Sequence, residues 1–195
     1  MPKAQAESKK DLLLGYLYIL LLSDKDLYSG AVMITDIRGI PVDFKYVDPI
    51  KFTRLEKVLY GDALDAYLKE ELILHNLLKS LEKKPHVLIC QDPSLVKLSR
   101  SLLKSPVLHL EPHSGTPLES AGMFEKLSEG DCYLLQVEEV GPPLRAYFGV
   151  VPEESEVKGL SFMLTEASRY MDLLEPFQRI AKALDVIIEE SHGKP

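Results

Sequence analysis

The chain has 195 residues and a formal net charge of −7, with 46% hydrophobic and 27% charged residues. These values are typical of a globular protein that buries its core without disulfide bonds. The acidic balance gives no broad positive surface, so we expect no general nucleic-acid footprint. The two cysteines, Cys90 and Cys132, are too few for a disulfide framework or a zinc cluster, and their apolar surroundings predict buried free thiols.

The organisation along the chain is predicted to be simple. Residues 1–10 are polar and are expected to form a flexible tail. Residues 11–195 are predicted to form one α/β domain, with a core of residues 11–112 and an extension of residues 113–195. The run 12–22 has no charged residue but is shorter than the about 20 apolar residues that a membrane helix needs, so a buried strand in a cytoplasmic protein is predicted.

Three strands are predicted next, in residues 15–23, 28–35 and 40–47. The first is apolar throughout, as strands buried on both faces usually are. Asp36 and Gly39 lie in the connection between the second and third strands, where glycine suits a hairpin turn. The third strand alternates apolar and polar residues, which indicates a sheet with one solvated face, close to an edge.

A helical pattern follows over residues 55–81, and Thr53 and Glu56 have the spacing of a capping box at its start. We expect Gly61 to kink or divide this helix, because glycine costs about 1 kcal/mol in a helix interior.

The next elements alternate between strand and helix. Residues 86–91 form a short apolar strand, Asp92 caps a helix with Pro93 at its first position, and residues 107–110 return as a strand. This spacing predicts a parallel pair with a right-handed crossover.

The remainder of the chain is less regular. Thr116 resembles another helix start, and residues 131–140 and 144–151 predict a hairpin. Residues 153–158 are predicted to be a charged loop. Asp172 is expected to begin a long terminal helix with an apolar stripe.

The predicted fold class is therefore α/β: a mixed sheet with three N-terminal antiparallel strands, then helix-strand-helix-strand, plus a C-terminal hairpin and long helix. Over residues 15–110 this order resembles that of ribonuclease H-like proteins. Nucleases of that family carry metal-binding carboxylates on the first strand, on the first helix and at the end of the fourth strand, where they clamp two magnesium ions about 4 Å apart. Asp92 matches the fourth strand, and Glu70 and Glu71 lie on the helix, but the first strand has no acid.

Two sets of residues could bind a metal. Asp36, Asp92 and Glu111 are the candidate catalytic carboxylates of a metal-dependent enzyme with this resemblance. His109, Glu111 and His113 have the i, i+2, i+4 spacing that places three ligands on one face of an extended segment, where they could hold a divalent metal. The alternative for the second set is a strand end with solvated polar residues.

Polar residues also follow the two predicted parallel strands. Open α/β sheets bind ligands at the carboxyl ends of such strands. Gln91 and Ser94 lie at one end, and Ser114 and Gly115 at the next, so these four are the candidate binding residues.

Tyrosine is common in the first third of the chain and is enriched at protein interfaces. The tyrosines are Tyr16, Tyr18, Tyr28, Tyr46, Tyr60 and Tyr67. The segment from Asp36 to Val42 also resembles the hairpin of small regulatory modules of the roadblock type.

The main functional prediction is a non-catalytic cytoplasmic protein that acts through protein contacts, as a homodimer and without a membrane. The alternative is a nuclease or phosphodiesterase of ribonuclease H-like fold that depends on a divalent metal.

Overall fold

The computed structural model describes residues 12–22 and 27–192, so the predicted tail lies outside the described residues. Within them, the chain forms an eight-stranded mixed sheet with the order β3-β2-β1-β4-β5-β8-β7-β6. The strands are β1 (Leu13–Leu22), β2 (Leu27–Asp36), β3 (Pro41–Lys51), β4 (Val87–Cys90), β5 (Val107–Pro112), β6 (Phe124–Lys126), β7 (Cys132–Leu135) and β8 (Leu144–Tyr147).

The pairing of the strands confirms the predicted fold class. β1, β2 and β3 form an antiparallel meander, and β4 and β5 continue the sheet beside β1 as parallel strands. β3 lies at the edge of the sheet, as its alternating pattern predicts. The C-terminal hairpin joins the same sheet because β8 pairs with β5 in the antiparallel sense. The ribonuclease H-like element order of the first half is therefore confirmed, whereas the division into a core and an extension stays a prediction.

The helical region after β3 consists of several segments. These are α1 (Arg54–Tyr60), a 3-10 turn (Gly61–Ala63), α2 (Leu64–Tyr67), a π-helix that we name π1 (Leu68–His75) and α3 (Asn76–Lys79). The predicted capping box of Thr53 and Glu56 is present, and Gly61 ends α1 with a φ of 51°. In π1 the buried residues Leu68 and Ile73 are five positions apart, because a π-helix needs more residues per turn than an α-helix.

Three further helices complete the described chain: α4 (Ser94–Leu102), α5 (Glu154–Ser168) and α6 (Glu175–His192). One face of the sheet is covered by α5 and α6, and the other by π1, α3 and α4. Tyr16 of β1 packs on the first side and Leu17 on the second, so the first strand is buried on both faces, as predicted. None of the described helices has the length and apolar character that a membrane span requires.

Two predictions for the second half are wrong. Residues 153–158 are not a loop, because most of them form the first turns of α5. Thr116 does not begin a helix: the chain turns at Gly122, whose φ is 89°, and then forms the short strand β6. A positive φ at that glycine is incompatible with a continuing right-handed helix.

Candidate functional site

The carboxyl ends of β1, β4 and β5 lie at one edge of the sheet, because these three strands run parallel. Cys90 of β4 is paired with both Leu17 of β1 and His109 of β5. Asp92 lies two positions after Cys90, and Glu111 lies two positions after His109. Because Cys90 and His109 are paired, Asp92 and Glu111 lie side by side on adjacent segments. We name this region, which comprises Asp92, His109 and Glu111, the Asp92 edge.

A small cavity of about 30 Å³ lies at this edge, between β1, π1 and the start of α4. Its lining residues are Ile19, Leu21, Lys69, Asp92, Ser94 and Leu95. Half of the lining is aliphatic and half is polar. The volume suits one or two water molecules or a single small ion rather than an organic ligand.

Asp92 is held in place by the helix that it precedes. Its Oδ1 accepts a hydrogen bond of 2.7 Å from the backbone N–H of Ser94, which satisfies one of the free donors at the start of α4. Partial burial raises the pKa of Asp92, but the hydrogen bonds from Ser94 and the positive charges of Lys69 and His109 outweigh this and hold the pKa below its ordinary value. Asp92 is therefore ionised near neutral pH.

His109 presents one ring nitrogen to the edge. Its Nδ1 lies 2.9 Å from the carbonyl oxygen of Cys90, and this oxygen can only accept, so Nδ1 carries the proton. In the neutral ring Nε2 is then left without a proton and can accept one. Nε2 lies 3.7 Å from Oε2 of Glu111. The side chain of His109 is only 12% exposed, which fixes the orientation of the ring.

Arg145 of β8 connects this edge to the C-terminal hairpin. Its Nη1 donates to Oε1 of Glu111 at 3.1 Å, and its Nη2 donates to Oε1 of Glu129 at 2.9 Å. The guanidinium therefore orients Glu111 from the side opposite His109. Arg145 also lies near the thiol of Cys132, whose pKa is raised because burial outweighs the effect of the guanidinium.

Asp36 does not belong to this group of side chains, so the three candidate catalytic carboxylates do not converge, and their catalytic role stays a prediction. Asp36 is paired with Leu13 at the start of β1, whereas Gln91 donates to the carbonyl of Leu17. Leu13 and Leu17 are four residues apart on β1, which is about 13 Å at about 3.3 Å per residue. This separation is far beyond the distance at which two carboxylates can bridge metal ions. Asp36 instead accepts hydrogen bonds from Arg38 and Ile40 and closes the hairpin.

The predicted metal triad is brought together only in part. His109 and Glu111 face each other, but His113 lies after β5 with its ring against Gly115, where an added Cβ would come within 2.6 Å of Nε2. Within residues 12–22 and 27–192, no three His, Cys, Asp or Glu side chains are grouped as a metal site would require. The role of the triad as metal ligands stays a prediction.

The predicted binding residues lie at or near this edge. Gln91 and Ser94 are exposed beside Asp92, and Ser114 is exposed after the end of β5 next to the half-buried Gly115. Their binding role stays a prediction.

The two-metal clamp of ribonuclease H-like nucleases does not fit the residues that line the cavity. Ile19 and Leu21 of β1 line the cavity where a first-strand acid would be needed. From the helical region the lining residue is Lys69, whereas Glu70 and Glu71 are exposed and do not line it. One carboxylate and one ammonium cannot hold a pair of divalent ions.

Sequence analysis did not identify Lys69 as a candidate site residue. It directly precedes the two glutamates that the ribonuclease H-like resemblance indicates, and helices were assumed to follow the 3.6-residue period. π1 changes which residues face the sheet. The sequence gives no clear signal of this change, because Leu68 and Leu72 keep the four-residue spacing of an α-helix.

Comparison with known proteins gives no match to a family model and none to a curated protein. Solved structures do match. Endonuclease V of Streptomyces avermitilis has a TM-score of 0.62 at 13% identity, over 98% of this chain and 95% of that chain. Endonuclease V of Bacillus subtilis has a TM-score of 0.60 at 11% identity, over 95% of this chain and 85% of that chain. Endonuclease V of Ciona intestinalis, in complex with a 23mer DNA containing inosine, has a TM-score of 0.48 at 9% identity, over 91% of this chain and 86% of that chain. At these identities the likeness shows the fold alone.

These comparisons correct two predictions. The main prediction, a non-catalytic protein acting through protein contacts, is wrong, because the structures similar over nearly the whole chain are endonucleases. The prediction that the chain has no broad nucleic-acid footprint is wrong for the same reason. It relied on net charge, which describes the whole surface and does not describe one edge of the sheet.

Proposed function

We propose that the chain binds nucleic acid at the Asp92 edge and hydrolyses phosphodiester bonds there. The observation that carries the proposal is the position of Asp92 after β4 and His109 on the adjacent β5, which lie close together on a fold similar to that of endonuclease V. Ribonuclease H-like nucleases place a carboxylate at the end of the fourth strand, and Asp92 is in that position.

His109 is the proton acceptor of this reaction. Its Nε2 is available to take a proton from a water molecule, because the proton on Nδ1 is fixed by the carbonyl of Cys90. The oxygen of that water forms the new bond to phosphorus while one ester bond breaks, and the departing oxygen takes a proton from solvent. Glu111 lies beside Nε2 and would stabilise the charge that the ring acquires.

Divalent metals are typical cofactors of ribonuclease H-like nucleases, so a divalent metal is the cofactor to test for this chain. The proposal assigns no metal cluster to this chain, because the cavity residues include only one carboxylate, that of Asp92. The assay must therefore be performed both with and without metal.

The test is an assay of binding and cleavage with end-labelled single- and double-stranded DNA and RNA, in EDTA, Mg²⁺ or Mn²⁺. We expect binding of at least one nucleic acid, with affinity that falls as salt rises, and slow cleavage products on a gel. An excess of unlabelled oligonucleotide should displace the labelled nucleic acid from the protein. If no nucleic acid is bound or cut under any of these conditions, the proposal is wrong.

A further inference from the structure

Lys69 places a positive charge at the cavity of the Asp92 edge. It lines the cavity together with Asp92 and Ser94, and it is half-buried at the start of π1. Among the described residues, no carboxylate oxygen lies within 4.0 Å of its ammonium group. The ammonium therefore acts on Asp92 across the cavity and is not consumed in a close ion pair.

The charges that line the cavity balance each other and leave no excess negative charge for a divalent cation. The lining residues carry one negative charge, on Asp92, and one positive charge, on Lys69. Two divalent ions would need several carboxylates to balance them. The apolar wall of Ile19, Leu21 and Leu95 lowers the local dielectric, which strengthens the field of the ammonium.

We propose that Lys69 replaces a divalent metal ion at the Asp92 edge, and that its ammonium contacts a backbone phosphate of the bound nucleic acid. This inference rests on the proposed function. The hydroxyl of Ser94, which lines the same cavity, hydrogen-bonds to Asp92 and helps to hold this carboxylate in place, so the ammonium of Lys69 is the donor to the phosphate. Binding of nucleic acid at this edge is therefore independent of divalent metal.

The first test measures the binding of a fluorescent oligonucleotide by anisotropy in EDTA over a range of salt concentrations. Lys69→Met should weaken binding about tenfold, as expected for one charged hydrogen bond. It should also reduce the slope of log affinity against log salt by about 0.7 to 0.9, the value for one phosphate contact. Lys69→Arg should restore most of the affinity, because it keeps the charge.

The matched control is Lys79→Met, an exposed lysine at the end of α3 in the same helical region. It should leave both affinity and salt slope unchanged. The inference is overturned, with the proposed function intact, if the wild type binds only when Mg²⁺ or Mn²⁺ is present, or if Lys69→Met binds like the wild type. A wild type that binds no nucleic acid overturns the proposed function itself.

A second test introduces carboxylates around the cavity. Ile19→Asp combined with Lys69→Glu would place three carboxylates around the cavity with Asp92. We expect Mn²⁺ at 100 times its dissociation constant to raise the midpoint of thermal unfolding of this variant by about 5–10 °C, and that of the wild type hardly at all. If the double variant does not fold, Lys69→Glu alone should show a smaller rise of the midpoint of thermal unfolding with Mn²⁺. An equal shift in the wild type would contradict the inference.

Discussion

Replacing His109 with glutamine should slow phosphodiester cleavage by about 10²- to 10⁴-fold, the usual contribution of a positioned general base. The amide of glutamine can still donate to the carbonyl of Cys90, so the fold around β5 should be kept. Binding of the oligonucleotide should stay close to that of the wild type, because the phosphate contacts lie elsewhere at the edge. Single-turnover cleavage of a labelled oligonucleotide measures the effect.

The pH profile separates a proton acceptor from a structural histidine. Cleavage by the wild type should depend on pH, whereas cleavage by His109→Gln should lose this dependence. His75→Gln is the matched control, since this histidine ends π1 and is not part of the Asp92 edge. Cleavage by His109→Gln at the wild-type rate would remove His109 from the mechanism.

Replacing Gly30 with valine should destabilise the protein by about 3 kcal/mol, the upper part of the usual range for overpacking. A Cβ at this position of β2 would lie 2.6 Å from Cγ2 of Ile73 and 3.1 Å from the carbonyl oxygen of Tyr18. The second contact is with backbone in the centre of the sheet, which cannot move aside as a side chain can. The midpoint of thermal unfolding should fall by about 6–12 °C.

Gly159→Ala provides the contrast. This glycine lies in α5, and an added Cβ would meet nothing within 4 Å. The alanine should stabilise the protein by up to about 1 kcal/mol through helix propensity.

Because Ile73 and Lys69 both belong to π1, Gly30→Val should also weaken nucleic-acid binding in EDTA. Equal thermal stability of Gly30→Val and wild type would contradict the packing of π1 on β2.

The first half of the fold could be predicted because its signals are local and strong. The apolar run that becomes β1, the alternation that becomes β3 and the strand-helix-strand spacing around Asp92 each follow a simple period. α5 was missed because it buries polar residues as well as apolar ones. Ser161 and Glu166 lie on its buried side, which obscures the apolar stripe of an amphipathic helix.

The candidate site was predictable only where it follows from strand ends. Asp92 and Glu111 lie at the predicted edge because parallel strands end together. Asp36 lies at the opposite edge of the sheet because β2 is antiparallel to β1. Lys69 was missed because a π-helix has no reliable sequence signal, and Arg145 because strand order across the sheet depends on distant pairing.

The packing of α6 has a consequence for biosynthesis. This helix contacts β1, β2 and β3, although it follows them by more than a hundred residues in the chain. The meander therefore emerges from the ribosome long before the helix that covers one of its faces. Tyr16 and Met33, both buried in that face, remain open to solvent until translation reaches residue 192. During that interval the nascent chain presents an apolar sheet, which is the kind of surface that chaperones bind.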